Sequence, residues 1–500
     1  MKKLMLLFIG LISITVINGQ DLTDAVRFSS DNIEGTARFR ALSGAFGALG
    51  GDLSAIGVNP AGSAVFNSSF TSFSISNQEI DNETSFGQTI NRTNDDSFSF
   101  NQAGVVFVFN SRNEESSWRK IVLGITYDQT QNFNDTFFAS GTNSNSIDSY
   151  FLENAQGLRL DEISALPGES FSEAYQNIGE TFGFRNQQAL LGFESFILEP
   201  DQNTDDNTIY TSNIAPGTFN QEFLSLSRGN AGKVTFNAAI QHKDNLHLGI
   251  NLNSHFVNFD RITSFFESND NTDSLIREVE FENSISTEGA GFSFQIGGIL
   301  KVARILRLGF TYDSPVWYTL NDENIQFLSV VDDSNSRNTF DPQIINIFPN
   351  YRLRTPGKIT GSAALVFGSI GLISFDYSRK DFSNTQLGPT SDFTEVNNNI
   401  EELLTVSNTF KIGGEYRYKN WSYRGGYRFE GSPYEDENIL GDLTGYSLGI
   451  GYNFGSTKLD IAFDDFDRNS SSSLFNQGNL GSAQINSDNR RVTLTLGFDL

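Results

Sequence analysis

Three sets of residues in this 500-residue chain have types and spacings that chemistry could use. Asp201, Asn203 and Asp205 alternate like the first oxygen ligands of a calcium loop. Asp206, however, stands where such a loop needs glycine, and Ser212 where it needs a bidentate glutamate. His242, His247 and His255 are the only histidines, and no second ligand cluster lies at metal spacing, so they read as turn or lumen polarity. Gly44 and Gly47 have the spacing of part of a phosphate loop, without the following Lys-Ser/Thr or a preceding strand. A hydrolase would need histidine set beside serine or aspartate, and the serines, though plentiful, form no pattern. The chain therefore reads as no enzyme, with no catalytic residue, no metal site and no cofactor. Asp464, Asp465 and Asp467 read as a solvated rim at a strand end.

Composition narrows the class. The net charge of -26 argues against nucleic acid, which requires a basic face. Lys2 and Lys3, the apolar run Leu4 to Ile17 and the small or polar Asn18, Gly19 and Gln20 read as a secretory signal peptide over residues 1–19. That run is too short for a membrane-spanning helix, which needs ~20 residues, and no other stretch approaches it. With Cys 0 there is no disulfide framework. Phe numbers 46 in a chain whose mean hydropathy is only -0.29, so large apolar groups are interleaved with polar ones, as period-2 strands require.

The alternation is explicit in Val492, Leu494, Leu496, Phe498 and Leu500, and again in Tyr446, Leu448, Ile450, Tyr452 and Phe454. It recurs in Leu246, Leu248, Ile250 and Leu252 and in Ile121, Leu123, Ile125 and Tyr127. A soluble sandwich also alternates, so the connections decide. Lys243-Asp244, Val302-Ala303, Gly368 to Ile370, Lys419-Asn420 and Gly455-Ser456 are tight turns, with a slightly longer one near Ser111 to Ser117. The intervening gaps, Gln78 to Asp95, Gly141 to Asn230, Val331 to Ile347, Leu387 to Asn398, Tyr434 to Asp442 and Ser470 to Ser487, are mostly long and acidic. Short turns at one end and long loops at the other describe an all-β, transmembrane outer-membrane β-barrel of about 14 antiparallel strands. Its strands occupy residues 63–500, with 141–230 as a large extracellular loop. Glu415, Arg417, Arg424 and Arg428 fall on the inward parity, and Tyr127, Trp317, Tyr318, Tyr351, Trp421 and Tyr434 suit aromatic girdles.

Residues 20–62 precede the first strand and are free to fold back as a small helical hatch in the lumen. Phe39, Leu42, Phe46 and Leu49 recur at helical spacing, and Gly44, Gly47, Gly50 and Gly51 allow close packing or sharp turns. The segment GAFGALGGDLSAIGVNPAG (44–62) resembles the hatch of the FadL/TodX family of outer-membrane long-chain fatty-acid and hydrophobic-compound transporters. There a small-residue run leads to Asn-Pro-Ala, here Asn59, Pro60 and Ala61. GFTYDSPVWYTL (309–320), YRLRTPGKITGSAALVFGSIGLISFDYSRKDFSN (351–384), KIGGEYRYKNWSYRGGYRFEGSPY (411–434) and YSLGIGYNFGSTKLDIAFDD (446–465) are similar to the same family's later blocks, whereas 78–230 is not matched.

The resemblance implies a 14-stranded barrel plugged by its hatch, which moves hydrophobic molecules passively and releases them sideways through a gap made by a kinked strand. It makes Gly44, Phe46, Gly47, Asp52, Asn59, Pro60 and Ala61 the hatch and gating candidates. The mature N-terminus departs from the glycine-rich opening of better-known members, so no ligand-contacting residue is carried over. The implied partners are a hydrophobic small molecule and outer-membrane lipid, with the chain a monomer in the outer membrane of a Gram-negative cell. The apolar pieces of 141–230, among them Phe151, Tyr175, Leu190 and Phe196, either pack over the barrel mouth or offer a first capture site. The competing use is an adhesion or structural barrel that binds a partner through its loops.

Overall fold

The computed structural model describes residues 22–113 and 115–500; the expected signal peptide, residues 1–19, lies outside them. Fourteen antiparallel strands follow one another round a closed sheet. They are β1 (Phe70–Phe86), β2 (Thr89–Asn110), β3 (Trp118–Asn132, resuming at Asp135–Asn143), β4 (Phe219–His242), β5 (Leu246–Ser268), β6 (Ile276–Lys301) and β7 (Leu306–Asp313, resuming at Trp317–Asp332). The second half comprises β8 (Tyr351–Arg354, resuming at Lys358–Val366), β9 (Gly371–Asp381), β10 (Val406–Tyr418), β11 (Trp421–Glu430), β12 (Leu440–Asn453), β13 (Thr457–Ser473) and β14 (Ser482–Asp499). The first and last strands close the barrel, in register from Phe70↔Asp499 to Ser85↔Gln484. This pairing removes the free edges that the first and last strands would otherwise present, as a sheet in lipid requires.

Strand alternation sorts the two faces. Leu248, Ile250 and Leu252 of β5 and Leu308 and Phe310 of β7 are exposed on the outside. Their sequence neighbours Asn251, Asn253 and Thr311 are buried in the lumen. Several strands are about twice the ~9–11 residues that cross a bilayer, so they project beyond the apolar belt.

That projection corrects part of the sequence reading. Gln78 to Asp95 is not a loop: β1 and β2 stay paired up to Phe86↔Thr89 and turn at Gly87. Beyond the belt both faces are polar, so the apolar alternation vanishes while the ladder continues. The first strand starts at Phe70, not at residue 63, because Pro60–Val65 forms a 3₁₀ turn. Residues 399–403 belong to a helix (Thr394–Leu403) rather than to β10. Tyr318, Tyr351 and Tyr434 are buried inside, whereas Trp317 and Trp421 are exposed outside. Adjacent residues on a strand cannot both face lipid.

At the long-loop end, residues 144–218 fold into a cap of three helices, α1 (Asp148–Ala155), α2 (Phe171–Phe182) and α3 (Phe184–Glu194), and a short hairpin, Leu198–Pro200 with Tyr210–Ser212. Ser170 caps α2 in a reciprocal capping box with Glu173. Tyr150, Phe151, Ile178, Leu190 and Leu191 pack into one apolar cluster with Phe281 of β6, Leu328 of β7 and Leu480. Of the two readings of this loop, packing over the mouth is the one the structure adopts for these side chains. Glu267 at the top of β5 ties the cap down, accepting hydrogen bonds from Ser146 Oγ (2.5 Å), the Ile147 N–H (3.1 Å) and Gln221 Nε2 (2.7 Å).

One place in the wall lacks a ladder. β2 and β3 pair only from Gln102↔Asp128 to Asn110↔Lys120; above that, β2 bonds to β1, and the upper part of β3 bonds to β4. The breaks in β7 and β8 at Pro315 and Pro356 differ, because their ladders resume on both sides.

Candidate functional site

Residues 22–69 lie before the first strand, and most of them fill the lumen as a plug. A helix at Leu22–Ser29, a short turn of helix at Ala37–Arg40 and 3₁₀ turns at Ser54–Gly57 and Pro60–Val65 are its regular parts. The helical spacing of Phe39, Leu42, Phe46 and Leu49 does not yield one helix over 39–50. Gly44 takes φ +73 and folds the chain back so that Phe39 and Phe46 meet with ring centroids 5.4 Å apart.

The plug sits against the wall at positions where the wall has no side chain. A Cβ at Gly309 of β7 would fall 2.2 Å from the Gly47 carbonyl oxygen, and one at Gly249 of β5 would fall 2.4 Å from the Pro60 carbonyl carbon. At Gly297 it would meet Asn59 Oδ1 at 2.2 Å, at Gly413 the Leu42 carbonyl oxygen at 2.7 Å, and at Gly449 the Ala41 Cβ at 2.4 Å. All these glycines occupy inward positions, so backbone packs on backbone round much of the circumference.

The gating candidates divide accordingly. Gly47, Asn59, Pro60 and Ala61 come together against β5, β6 and β7. Asn59 Nδ2 donates to the carbonyls of Gly47 (2.7 Å) and Gly298 (3.1 Å), while its Oδ1 accepts from the Ala61 N–H (3.1 Å) and caps the 3₁₀ turn. The Gly47 N–H donates to Asp376 Oδ2 at 2.9 Å, and Asn237 Nδ2 donates to the Pro60 carbonyl at 3.0 Å. Phe46 is fully buried and packs with Ala364 and Leu372 of the wall. Gly44 and Asp52 shape the plug internally: Asp52 Oδ1 accepts from Thr36 Oγ1 (2.7 Å) and the Ser54 N–H (3.0 Å). Burial pushes the Asp52 carboxyl above its ordinary value, against the pull of Arg38.

Sequence reading missed the charged contacts of the plug. Arg40, 1% exposed, grips both oxygens of Asp464 (2.9 and 2.5 Å) and also Glu34 (3.0 Å), and Glu34 pairs with Arg491. Asp464 is thus a lumen anchor and not a solvated rim, while Asp465 accepts from the outward Tyr446 hydroxyl. Arg38 reaches Glu415 at 3.0 Å, where Arg424 also binds at 2.6 Å. The inward reading of Glu415, Arg417, Arg424 and Arg428 stands; they line cavities flanking the plug. Among the histidines, His255 is buried in the lumen against Ser293 Oγ (2.8 Å), and His242 lies at a turn against the Trp118 ring. Asp201, Asn203 and Asp205 sit at the exposed tip of the cap hairpin.

Two cavities flank the plug. A vestibule of about 650 Å³ opens at the short-turn end, bordered by Arg38, Asp52, Arg307 and Lys458. Towards the cap lies a chamber of about 140 Å³ bordered by Asp31, Lys233, Lys358, Lys380, Lys411 and Arg428. Asp128 and Gln129, where the β2–β3 ladder ends, border the same chamber. The N-terminal helix stoppers that weak place: Phe28 packs edge-on to Phe133 and Phe259, at 6.0 and 6.1 Å, and Gln131 Nε2 donates to the Arg27 and Ser30 carbonyls (2.9 and 2.6 Å).

A closed fourteen-stranded barrel with long strands, an apolar outer belt and a plug threaded through its lumen defines an outer-membrane channel fold. No protein-family model and no curated protein matches the chain. Among solved structures it is similar to a FadL homologue of Pseudomonas aeruginosa, at 12% identity and TM-score 0.55, over 94% of this chain and 99% of that one. It is also similar to the Pseudomonas putida toluene transporter TodX, at 10% identity and TM-score 0.51, over 94% of this chain and 100% of that one. The chain has the FadL/TodX fold.

Proposed function

We propose that this chain is a passive outer-membrane channel for hydrophobic small molecules, long-chain fatty acids or similar lipids and hydrocarbons, gated by the plug and releasing cargo sideways into the membrane. The observation that carries the reading is the coincidence of three features: the chamber above the plug, the missing ladder between β2 and β3, and the N-terminal helix that stoppers both. An apolar molecule that leaves water gains ~25 cal/mol per Å² of buried surface, so movement into lipid needs no energy source and no chemical step. A sideways exit delivers cargo to the apolar phase without a return to water.

In this reading residues 1–19 direct export, 20–62 are the gate, and Gly44, Phe46, Gly47, Asp52, Asn59, Pro60 and Ala61 hold it seated. The short-turn end faces the periplasm and the cap faces outward, in a monomer. Toluene, the cargo of the similar Pseudomonas putida transporter TodX, belongs to this class. Adhesion through the loops draws less support, because their apolar side chains are largely turned into a core of their own.

Whole-cell uptake of a labelled fatty acid and of labelled toluene, compared between the full chain and a deletion of residues 21–62, tests the reading. Altered uptake of either compound supports it. Uptake of both unchanged from cells lacking the protein and unaffected by the deletion refutes hatch-gated transport.

A further inference from the structure

We propose that Glu267 is a proton-operated latch for the cap: as a neutral acid it holds residues 144–218 down over the long-loop mouth, and as a carboxylate it lets them lift. The inference goes beyond the transport reading, since it concerns the cover of the barrel and stands whatever the barrel carries.

Glu267 stands near the end of β5 on the inward parity and is 1% exposed. It lies two residues from Phe265 and is bonded to Ile147, both members of the apolar cluster under the cap. Its three donors, Ser146 Oγ, the Ile147 N–H and Gln221 Nε2, are all uncharged, and they sit where the chain enters and leaves the cap. Gln221 Nε2 also donates to the Asn145 carbonyl (2.8 Å), while Asn143 Nδ2 donates to Gln221 Oε1 (3.1 Å) and to the Leu480 carbonyl (2.7 Å). One carboxyl therefore joins both stems of the cap to β5 and, through Gln221 and Asn143, to the loop before β14.

A carboxylate buried without a counter-charge keeps most of its desolvation cost, because neutral donors offset only part of it. The charged groups on the elements around Glu267 do not supply that counter-charge. Asp148, at the start of α1, adds a like charge. On β4 the neighbouring Glu222 is exposed on the outward parity. On β6, Glu278 and Glu280 are held by Arg337, and Arg277 donates to the Asn271 carbonyl (2.7 Å). Asp270 and Asp273, in the turn between β5 and β6, are exposed, and Glu153 of α1 accepts from the Gly478 N–H (2.7 Å). Burial accordingly pushes the Glu267 carboxyl up to about 7, against the pull of its three hydrogen bonds. Because this value lies above the ordinary ~4.3, the contribution of the latch is fully present below the ordinary value and is lost as pH rises through about 7. The contacts of the cap with β7, from the Tyr175 hydroxyl and Gln188 Nε2 to Gln326 Oε1 at 2.8 Å each, are uncharged and do not change over that range. In the orientation proposed above, the latch senses the external medium and closes the mouth in acid.

The test is hydrogen exchange of the full chain in amphipol, read by mass spectrometry as protection factors corrected for the intrinsic rate, with heat-modifiable gel migration to confirm that each variant is a folded barrel. In the wild type, protection over residues 144–218 is expected to fall about 40-fold between about pH 5 and about pH 7 and then to level off, while β9 to β12 keep theirs. Glu267→Gln retains an acceptor without a charge, and its protection is expected to stay within about threefold over the same range. Asp148→Asn is expected to keep the wild-type slope. A wild-type profile that is flat or rises with pH, or a Glu267→Gln profile with the wild-type slope, would overturn the latch. An Asp148→Asn profile as flat as that of Glu267→Gln would overturn its assignment to Glu267. None of these readouts depends on cargo, so each of these failures leaves the transport reading standing.

Discussion

Replacing Gly309 by alanine perturbs the gate from the wall, without touching the plug sequence. The new Cβ would lie 2.2 Å from the Gly47 carbonyl oxygen and 2.7 Å from its carbonyl carbon, both backbone atoms that no rotamer change can remove. Ordinary contact begins at 3.4 Å, so the plug must retreat by roughly 1 Å. A retreat of that size stretches two plug-to-wall hydrogen bonds, Gly47 N–H to Asp376 (2.9 Å) and Asn59 Nδ2 to the Gly298 carbonyl (3.1 Å), beyond useful length. At about 1 kcal/mol for each lost bond, and more where a buried partner is left unpaired, the seated plug loses about 2–4 kcal/mol. The ratio of seated to unseated plug then falls about 30- to 1,000-fold, at about 1.4 kcal/mol per decade. The ladders of β7 to β6 and β8 do not involve that Cβ, so the barrel folds as before. Single-channel conductance in planar bilayers and proteolysis of residues 22–66 are the assays, and both are expected to rise in Gly309→Ala. A folded variant with wild-type conductance and wild-type resistance to protease would refute the backbone-on-backbone seating of the plug.

Acidification from neutrality through the raised value of the Asp52 carboxyl is expected to tighten the plug, as read by protease protection. Burial raises the Asp52 carboxyl, so its contribution to stability is present below the ordinary value, ~3.9, and is lost as pH rises through the raised one. Asp31 is held low, so its contribution persists until far more acid conditions and does not oppose the trend; Asp52→Asn should flatten the profile, and protection that falls on acidification would contradict it. Glu267→Ala removes the acceptor of three hydrogen bonds, two of them from the cap residues Ser146 and Ile147 and one from Gln221 of β4, and is expected to cost about 3 kcal/mol locally. Hydrogen exchange over residues 144–218 should accelerate in that variant while exchange in the barrel strands does not, and equal protection in both chains would count against the anchor.

The strands were legible where one face is apolar and the other polar. Leu248, Ile250 and Leu252 announce β5 because lipid on one side and a polar lumen on the other impose a period of two. The signal fails over 78–95, where both faces of the paired hairpin are largely polar, although Gln78, Asn82 and Thr84 on one of them are buried. It also misled at Tyr318, whose aromatic type suits a girdle but whose parity, opposite to that of Trp317, turns it inward. The plug was legible as a place, from the small-residue segment before the first strand; the contact of Asn59 with the wall was not. The chain reversal at Gly44 was not, since the same apolar spacing fits a helix or a folded turn. The Arg40–Asp464 and Glu34–Arg491 pairs join residues more than 400 positions apart, and no local pattern encodes such a meeting. A usable signal for the seat did exist: Gly249, Gly297, Gly309, Gly413 and Gly449 all fall on the inward parity, where glycine opens room for another backbone.

The central claim is that movement of the plug gates passage of hydrophobic cargo. Ser43 Oγ of the plug and Ser447 Oγ of β12 lie 2.8 Å apart, and the chain has Cys 0, so the double substitution Ser43→Cys with Ser447→Cys creates one disulfide between gate and wall. Uptake of a labelled fatty acid by cells carrying this variant is to be measured after oxidation and again after reduction. The account predicts uptake abolished by oxidation and restored by reduction, with the wild type indifferent to both treatments; equal uptake with the plug locked and unlocked would contradict it.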